Sequence, residues 1–363
     1  MFVSIIIGYR NRDLSRIKLS LDFINQQTNK NLEVIFVDYG SDEIISNEVK
    51  VLAEEYPFVS YNFNNTQGWF WNRSHALNTG IHLAKGEIIL FFDIDIIIEP
   101  DFIEKISKLE YKNSFYLFEC FYLPSDFDFF KKNVLIEGTY YRQDYVGLCA
   151  VKKENITAIN GFDEYFMVWG AEDEDLYTRL ENSGLEMKRL TASDYRVFHQ
   201  WHPVESPTFP TIWYLTMINR LFNKNRLSTG IDQVYGLMIS QKERQIFSLI
   251  QDDCFDVELK LLTANKFLIF HDFIGDFLNP SYLSGKFRFI KTAPKKTDRK
   301  KKFLGLNKKE DLIEYTNTRE ITQFIQYIVG INRGILEDYF FSSTDDEINF
   351  YYLKNLNPTV ANG

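Results

Sequence analysis

The chain has 363 residues, 45% of them hydrophobic, 16% aromatic and 25% charged, with a formal net charge of −9. That length and apolar content suit about two domains with sizeable cores. The negative balance argues against nucleic acid as a partner, and no uninterrupted apolar stretch is long enough for a membrane span. The three cysteines, Cys120, Cys149 and Cys254, lack metal or redox spacing and read as reduced thiols of a cytoplasmic chain. No leader is expected ahead of the first apolar run, which already starts at Val3.

Phe2 to Ile7 is apolar and β-branched, predicting a buried strand that closes at the loop Gly8-Tyr9-Arg10-Asn11-Arg12. Leu14, Ile17, Leu21 and Ile24 then recur at helical spacing over 14–27. A second strand, Leu32 to Val37, ends in Asp38-Tyr39-Gly40-Ser41-Asp42; a helix to about Glu55 and a short strand from Phe58 to Phe63 come next. The stretch from Trp69 to Ile81 enters a helix expected to stop at Lys85-Gly86, with Gly86 as its C-cap. Arg73, near its start, can meet a phosphate or a base edge, or pair with an acid as an ordinary surface arginine. Gly86 to Leu90 is another buried strand, and it runs into Phe91-Phe92-Asp93-Ile94-Asp95.

Strands alternating with helices predict an α/β, Rossmann-like domain with a mostly parallel sheet flanked by helices. Ligands of such sheets bind at the carboxyl ends of the strands. Both loops and the Asp93/Asp95 pair fall on that edge. Unpaired carboxylates there would cost on the order of several kcal/mol. They are either solvated or neutralised by a hard divalent cation, magnesium or manganese, which takes carboxylates and phosphates together.

The order of Val3 to Ile7, Val37 to Ser41, Arg73 with Ala76-Leu77-Asn78, Ala84 to Glu87 and Asp93-Ile94-Asp95 resembles the GT-A glycosyltransferases of family 2 over about the first 110 residues. The resemblance implies a nucleotide-sugar donor, usually a UDP-sugar, with manganese or magnesium on the Asp-x-Asp. Asp95 would bind the metal, with Asp93 near the ribose or the metal. Gly8, Tyr9, Arg10, Asp38 and Arg73 would line the nucleotide. Tyr39 stands where many relatives carry an acid that reads uracil; a tyrosine can stack on or bond a base instead.

Further on, Val134 to Tyr141 and Gly147 to Lys152 are candidate strands. Leu176, Tyr177 and Leu180 share a helical face, so Glu172 and Asp173 open a helix, where acids suit the positive end. The run from Val168-Trp169-Gly170 to Leu180 resembles the second signature of galactosyltransferase-like and chondroitin-polymerase-like GT-A enzymes. There the Trp-Gly meets the acceptor sugar and one of the two acids is the general base. By position Asp173 would be the base, Glu172 would hold an acceptor hydroxyl, and Trp169 and Gly170 would contact the acceptor.

Two of the five histidines, His199 and His202, close a strand-like run. A lone histidine is more often structural, but a pair after the Asp-x-Asp and the acidic helix suggests a further metal ligand. His199 is favoured, and His202 is the alternative, or a contact to the diphosphate. Residues 1–225 are thus expected to be the catalytic domain and 226–363 a mainly helical extension, with helices near Gln245 to Gln251 and Thr322 to Ile331. The extension carries a basic segment, 286–302, read as a solvated loop or as a contact for anionic lipid or glycan with Phe287, Phe289 and Phe303 at the interface.

The reading that joins these features is an inverting, metal-dependent transferase. It would move a sugar from a UDP-sugar to a glycan or lipid-linked glycan, in the cytoplasm or on the inner face of the cell membrane, for a bacterial surface polysaccharide by analogy. The alternatives are a retaining N-acetylgalactosaminyltransferase-like enzyme and a non-catalytic glycan- or nucleotide-binding module. A nucleotidyltransferase would need a glycine-rich first loop, which Gly8 to Arg12 is not.

Overall fold

The computed structural model describes residues 1–125, 127, 142–164, 166–167, 172–203, 244–251, 256–260, 275, 277, 279, 281–290, 318–332, 335–344 and 346–354. The chain divides into two compact units, residues 1–67 with 71–240 and residues 68–70 with 241–363. The boundary expected near 225 lies outside the described residues. Among the described residues no helix is long and apolar enough to cross a membrane.

Among the described residues the first unit is built on a nine-stranded sheet. Its parallel part joins β1 (Val3–Tyr9), β2 (Leu32–Asp38), β3 (Val59–Phe63) and β4 (Ile88–Phe92), with β1 between β2 and β4. β1 and β4 are buried almost throughout, which is why they read as continuous apolar runs. β7 (Arg142–Lys152) runs antiparallel to β4 and to β6 (Ser114–Tyr122). β6 also takes β8 (Glu186–Leu190) and β9 (Val197–His199) as parallel partners, and β9 pairs antiparallel with β5 (Ile96–Ile98). The sheet is mostly parallel, as expected.

The helices α1 (Leu14–Asn25) and α2 (Glu43–Glu54) match their predicted spans closely. α3 (Arg73–Leu83) begins at Asn72, whose side-chain oxygen accepts from the His75 N–H at 2.9 Å. It ends at Ala84, earlier than expected, and Gly86 is not its cap. Gly86 instead allows two backbones to meet: a Cβ there would lie 2.5 Å from the Ser4 nitrogen. Gly80 does the same for α3 itself, since its Cβ would fall 2.2 Å from Ile6 Cγ2. α3 therefore lies tight on β1 and delivers Arg73 to the carboxyl edge of the sheet.

The short helices α4 (Phe102–Ile106) and α5 (Lys153–Ala158) precede α6 (Glu172–Asn182), the acidic helix foreseen from its leucine spacing. One buried arginine seats α6. Arg179 pairs with Asp175 at 2.7 Å and donates to the carbonyls of Ile159 at 3.1 Å and Gly161 at 2.6 Å. The loop between is stitched to α3: Asn78 donates to the Phe162 carbonyl and Glu164 carboxylate, both at 2.9 Å, and accepts from the Phe162 N–H at 2.8 Å.

In the second unit α7 (Ile246–Ile250) and α8 (Thr318–Ile331) fall where helices were expected. Its described residues also hold a four-stranded sheet ordered β10 (Val257–Lys260), β11 (Ser284–Ile290), β13 (Glu347–Lys354), β12 (Leu336–Ser343). This sheet corrects the mainly helical expectation for these residues. Ile348, Phe350 and Tyr352 alternate along β13 and are buried, a period-two signal that the helical reading passed over. Phe287 and Phe289 on β11 are also buried, so they are core residues and not a membrane interface. Lys286 is itself buried, and Arg288 pairs with Glu347 at 3.3 Å. Phe303 and the rest of the basic segment lie outside the described residues. Gly68–Phe70 belong to this unit: the Phe341 N–H donates to the Gly68 carbonyl at 2.9 Å, and Trp69 stacks on Tyr339 with ring centroids 5.3 Å apart.

Replacing Arg179 by alanine leaves the Asp175 carboxylate buried without its cation and two carbonyls without a donor. The expected loss is about 3–5 kcal/mol, read as a lowered urea midpoint.

Candidate active site

The Asp93-Ile94-Asp95 turn comes directly after β4 and is fixed by α1 and β9. Ser20 Oγ is within hydrogen-bond reach of the carbonyls of Ile94 at 2.7 Å and Ile96 at 2.5 Å. The Gln200 N–H donates to the Asp95 carbonyl at 2.8 Å, and its side-chain amide reaches the Arg16 carbonyl at 3.1 Å. β5 and β9 pair with Ile96 opposite His199. Asp95 and His199 are thus set by main-chain pairing.

Asp95 Oδ2 lies 3.2 Å from His202 Nε2 and 3.6 Å from His199 Nε2. The ligand atoms of the three residues all fall within 4.8 Å of one another. His202 Nδ1 bonds the Pro203 carbonyl at 2.8 Å, which turns Nε2 toward Asp95. His199 is stacked on Tyr122, ring centroids 4.7 Å apart. Asp95 Oδ1 is buried with no hydrogen-bond partner among the described residues. The bond to Asp95 raises the pKa of His202. Burial pushes Asp95 up, but the His202 bond and the charges of both histidines outweigh it and hold the carboxyl below its ordinary value. An orphaned buried oxygen beside two imidazole nitrogens fits a divalent cation, and this mixed donor set suits manganese better than magnesium. Both histidines belong to the cluster, where one was favoured.

Asp93, expected near the ribose or the metal, lies outside that three-residue cluster. Arg73 neutralises it: Nη2 is 3.1 Å and Nε 3.2 Å from Asp93 Oδ1. The same guanidinium places Nη1 2.8 Å from Asp173 Oδ1 and 3.7 Å from Glu172 Oε1. Arg73 is 14% exposed and Asp173 27%, so the pair is open on one side. Burial raises the pKa of Asp173 although Arg73 opposes it. Burial, then the Asp173 charge, pushes Glu172 up to about 7. The site therefore holds one carboxylate pinned to a guanidinium and beside it an acid that keeps its proton to near neutrality.

The expected nucleotide-side residues divide. Gly8 is close to α3, where a Cβ would lie 3.1 Å from Ala76 Cβ. Arg10 donates to the carbonyls of Tyr39 and Thr66 and lies over the Tyr39 ring, 4.9 Å from its centroid. Three others turn inward. Tyr9 is in the core against Phe36. Asp38 is buried, accepting from the Ser41 N–H at 2.8 Å and the Tyr61 hydroxyl at 2.7 Å. Tyr39 is 1% exposed, with its hydroxyl 2.9 Å from His75 Nδ1. These three shape the loops and present no side chain to a base in this arrangement. Trp169 and Gly170 lie outside the described residues.

Two residues of the site were not singled out beforehand. Gln200 sits inside the histidine run, and its spacing alone could have suggested a buried neighbour of the two imidazoles. Gly147 was read only as the start of a strand.

This geometry has two measurable consequences. Manganese at a hundredfold excess over its dissociation constant should stabilise the chain by about 2.7 kcal/mol, and Asp95→Asn should abolish that shift in a thermal melt. The folded chain keeps a proton on Glu172 that the unfolded chain has released between its ordinary value of 4.5 and about 7. Stability should therefore fall as pH rises through that window, and Glu172→Gln should flatten the slope in denaturant titrations.

Residues 4–147 match the family model described as glycosyl transferase family 2, and residues 137–203 match the N-terminal domain of galactosyltransferase. An uncharacterized glycosyltransferase of Bacillus subtilis (strain 168), YfnE, is 24% identical over 268 residues, 56% of this chain and 66% of that protein. Beta-1,4-galactosyltransferase 1 of Mus musculus is 27% identical over 140 residues, 36% of this chain and 31% of that protein. Chondroitin sulfate synthase 3 of Homo sapiens is 23% identical over 198 residues, 48% and 21% of the two chains. The chain thus spans just under two thirds of the first relative and less than a third of the other two. The strand-end turn falls in the first match and the acidic helix and the histidine run in the second, so between them residues 4–203 resemble glycosyltransferase sequences.

Proposed function

We propose that the chain is an inverting, metal-assisted glycosyltransferase that moves a sugar from a UDP-sugar to a hydroxyl of a glycan or lipid-linked glycan. The observation that carries this reading is the acid pair Glu172/Asp173 brought by α6 to the strand-end turn, with Arg73 between Asp173 and Asp93. Acceptor activation and the donor edge of the sheet thereby share one site. The galactosyltransferase model and relatives support a sugar donor, and the family 2 likeness of residues 4–147 supports a nucleotide carrier.

Asp173 accepts the proton of the acceptor hydroxyl. The hydroxyl oxygen bonds to the anomeric carbon, and the bond from that carbon to the diphosphate breaks with its electron pair. Direct displacement inverts the anomeric configuration. Arg73 fixes the direction of the Asp173 carboxylate, and burial keeps that carboxylate more basic than an exposed one. Glu172, protonated near neutrality, can donate a hydrogen bond to a second acceptor hydroxyl. Asp95, His199 and His202 would hold the cation, which when bound supplies Lewis-acid stabilisation of the departing diphosphate. A place on the inner face of the membrane would rest on the basic segment, whose residues 291–302 contribute charge alone to this reading.

Asp173→Asn should lower turnover roughly a hundredfold or more while leaving UDP affinity near that of the parent in titration calorimetry. Normal turnover in that variant, or GDP binding more tightly than UDP, would contradict the assignment of base or donor.

A further inference from the structure

Gly147 lies at a break in the sheet. β4 and β7 pair in register from Ile88 opposite Lys152 to Phe91 opposite Cys149. β6 and β7 pair at Leu117 opposite Cys149 and resume at Glu119 opposite Tyr145. A single β6 residue, Phe118, therefore faces Val146, Gly147 and Leu148. Such a bulge bends the strand and re-aims the side chains next to it. This one falls just beyond the last β4 partner, beside the turn that carries Asp93.

At that point the space a side chain would fill is taken. A Cβ on Gly147 would lie 2.6 Å from Asp173 Oδ2, 3.0 Å from Arg73 Nη2 and 3.1 Å from Asp173 Cγ. A glycine inside a strand marks a close approach of another group, and here the group is the carboxylate–guanidinium pair of the site. The obstructed atoms are the ends of side chains, not backbone. Gly147 is not among the residues with positive φ, so alanine fits its backbone. A methyl group would displace the carboxylate and leave the strand in place.

We propose that Gly147 is a positioning residue that sets where the Asp173 carboxylate stands against Arg73. This inference rests on the reading of Asp173 as the base. A displacement of about 1 Å in a reacting group can cost about a hundredfold in rate.

The test is Gly147→Ala, alone and combined with Asp173→Asn, assayed for transfer and solved crystallographically. The expected result is turnover down at least tenfold, donor KM and melting temperature near those of the parent, and no further loss in the Asp173→Asn background. The Arg73–Asp173 contact should open beyond about 4 Å, the limit of an ion pair. Full turnover in Gly147→Ala, a loss that multiplies with that of Asp173→Asn, an unmoved carboxylate, or a large drop in melting temperature would each overturn the proposal. The last result would make Gly147 a requirement of the strand. If Asp173→Asn alone turns over normally, the base assignment fails, whereas the crystal structure still decides whether Gly147 places the carboxylate.

Discussion

The guanidinium of Arg73 is the point on which the site depends. It is the first residue of α3, and it meets Asp93 at the end of β4 and Asp173 at the start of α6. Three carboxylates around one cation leave an excess of negative charge. Burial resolves part of it by holding the proton on Glu172 to about pH 7. Removing the guanidinium would leave Glu172 and Asp173 without their cation in a largely enclosed place, an arrangement that is strongly destabilising where the charges are fully buried. The same contact ties the strand-end turn to the acidic helix α6.

The surrounding structure serves to hold that contact. Gly80 lets α3 close onto β1, Asn72 caps the helix just before Arg73, and Asn72 Nδ2 donates to the Glu164 carbonyl at 2.7 Å. Arg179 fixes α6 from below through Asp175 and two loop carbonyls. On the other side of the turn, Ser20 and Gln200 bind the main chain of residues 94 to 96 and so aim Asp95 at His199 and His202. Adjacent carboxylates of one turn thus receive different partners, a guanidinium for Asp93 and two imidazoles for Asp95.

Much of this was legible in the residues. Apolar runs such as Val3 to Ile7 and Ile88 to Phe92 announce buried parallel strands, and leucine spacing places the acidic helix. Side-chain direction could not be read. Asp38 and Tyr39 sit on the ligand edge of the sheet, yet Tyr61, Ser41 and His75 draw their polar groups inward. Asp93 and Asp95 look alike in sequence, and only the positions of Arg73 and the histidines separate them. Gly147 shows the same limit, because the atoms it makes room for lie at residues 73 and 173. In the second unit the alternation along β13 was present in the sequence and outweighed by neighbouring helical patterns.

The central claim is that Asp173 deprotonates an acceptor hydroxyl that attacks the sugar directly. Proton NMR of the product formed from an α-linked UDP-sugar tests it most simply, through the coupling of the anomeric proton. Direct displacement predicts the β configuration. An α-linked product would contradict direct displacement and the role given to Asp173.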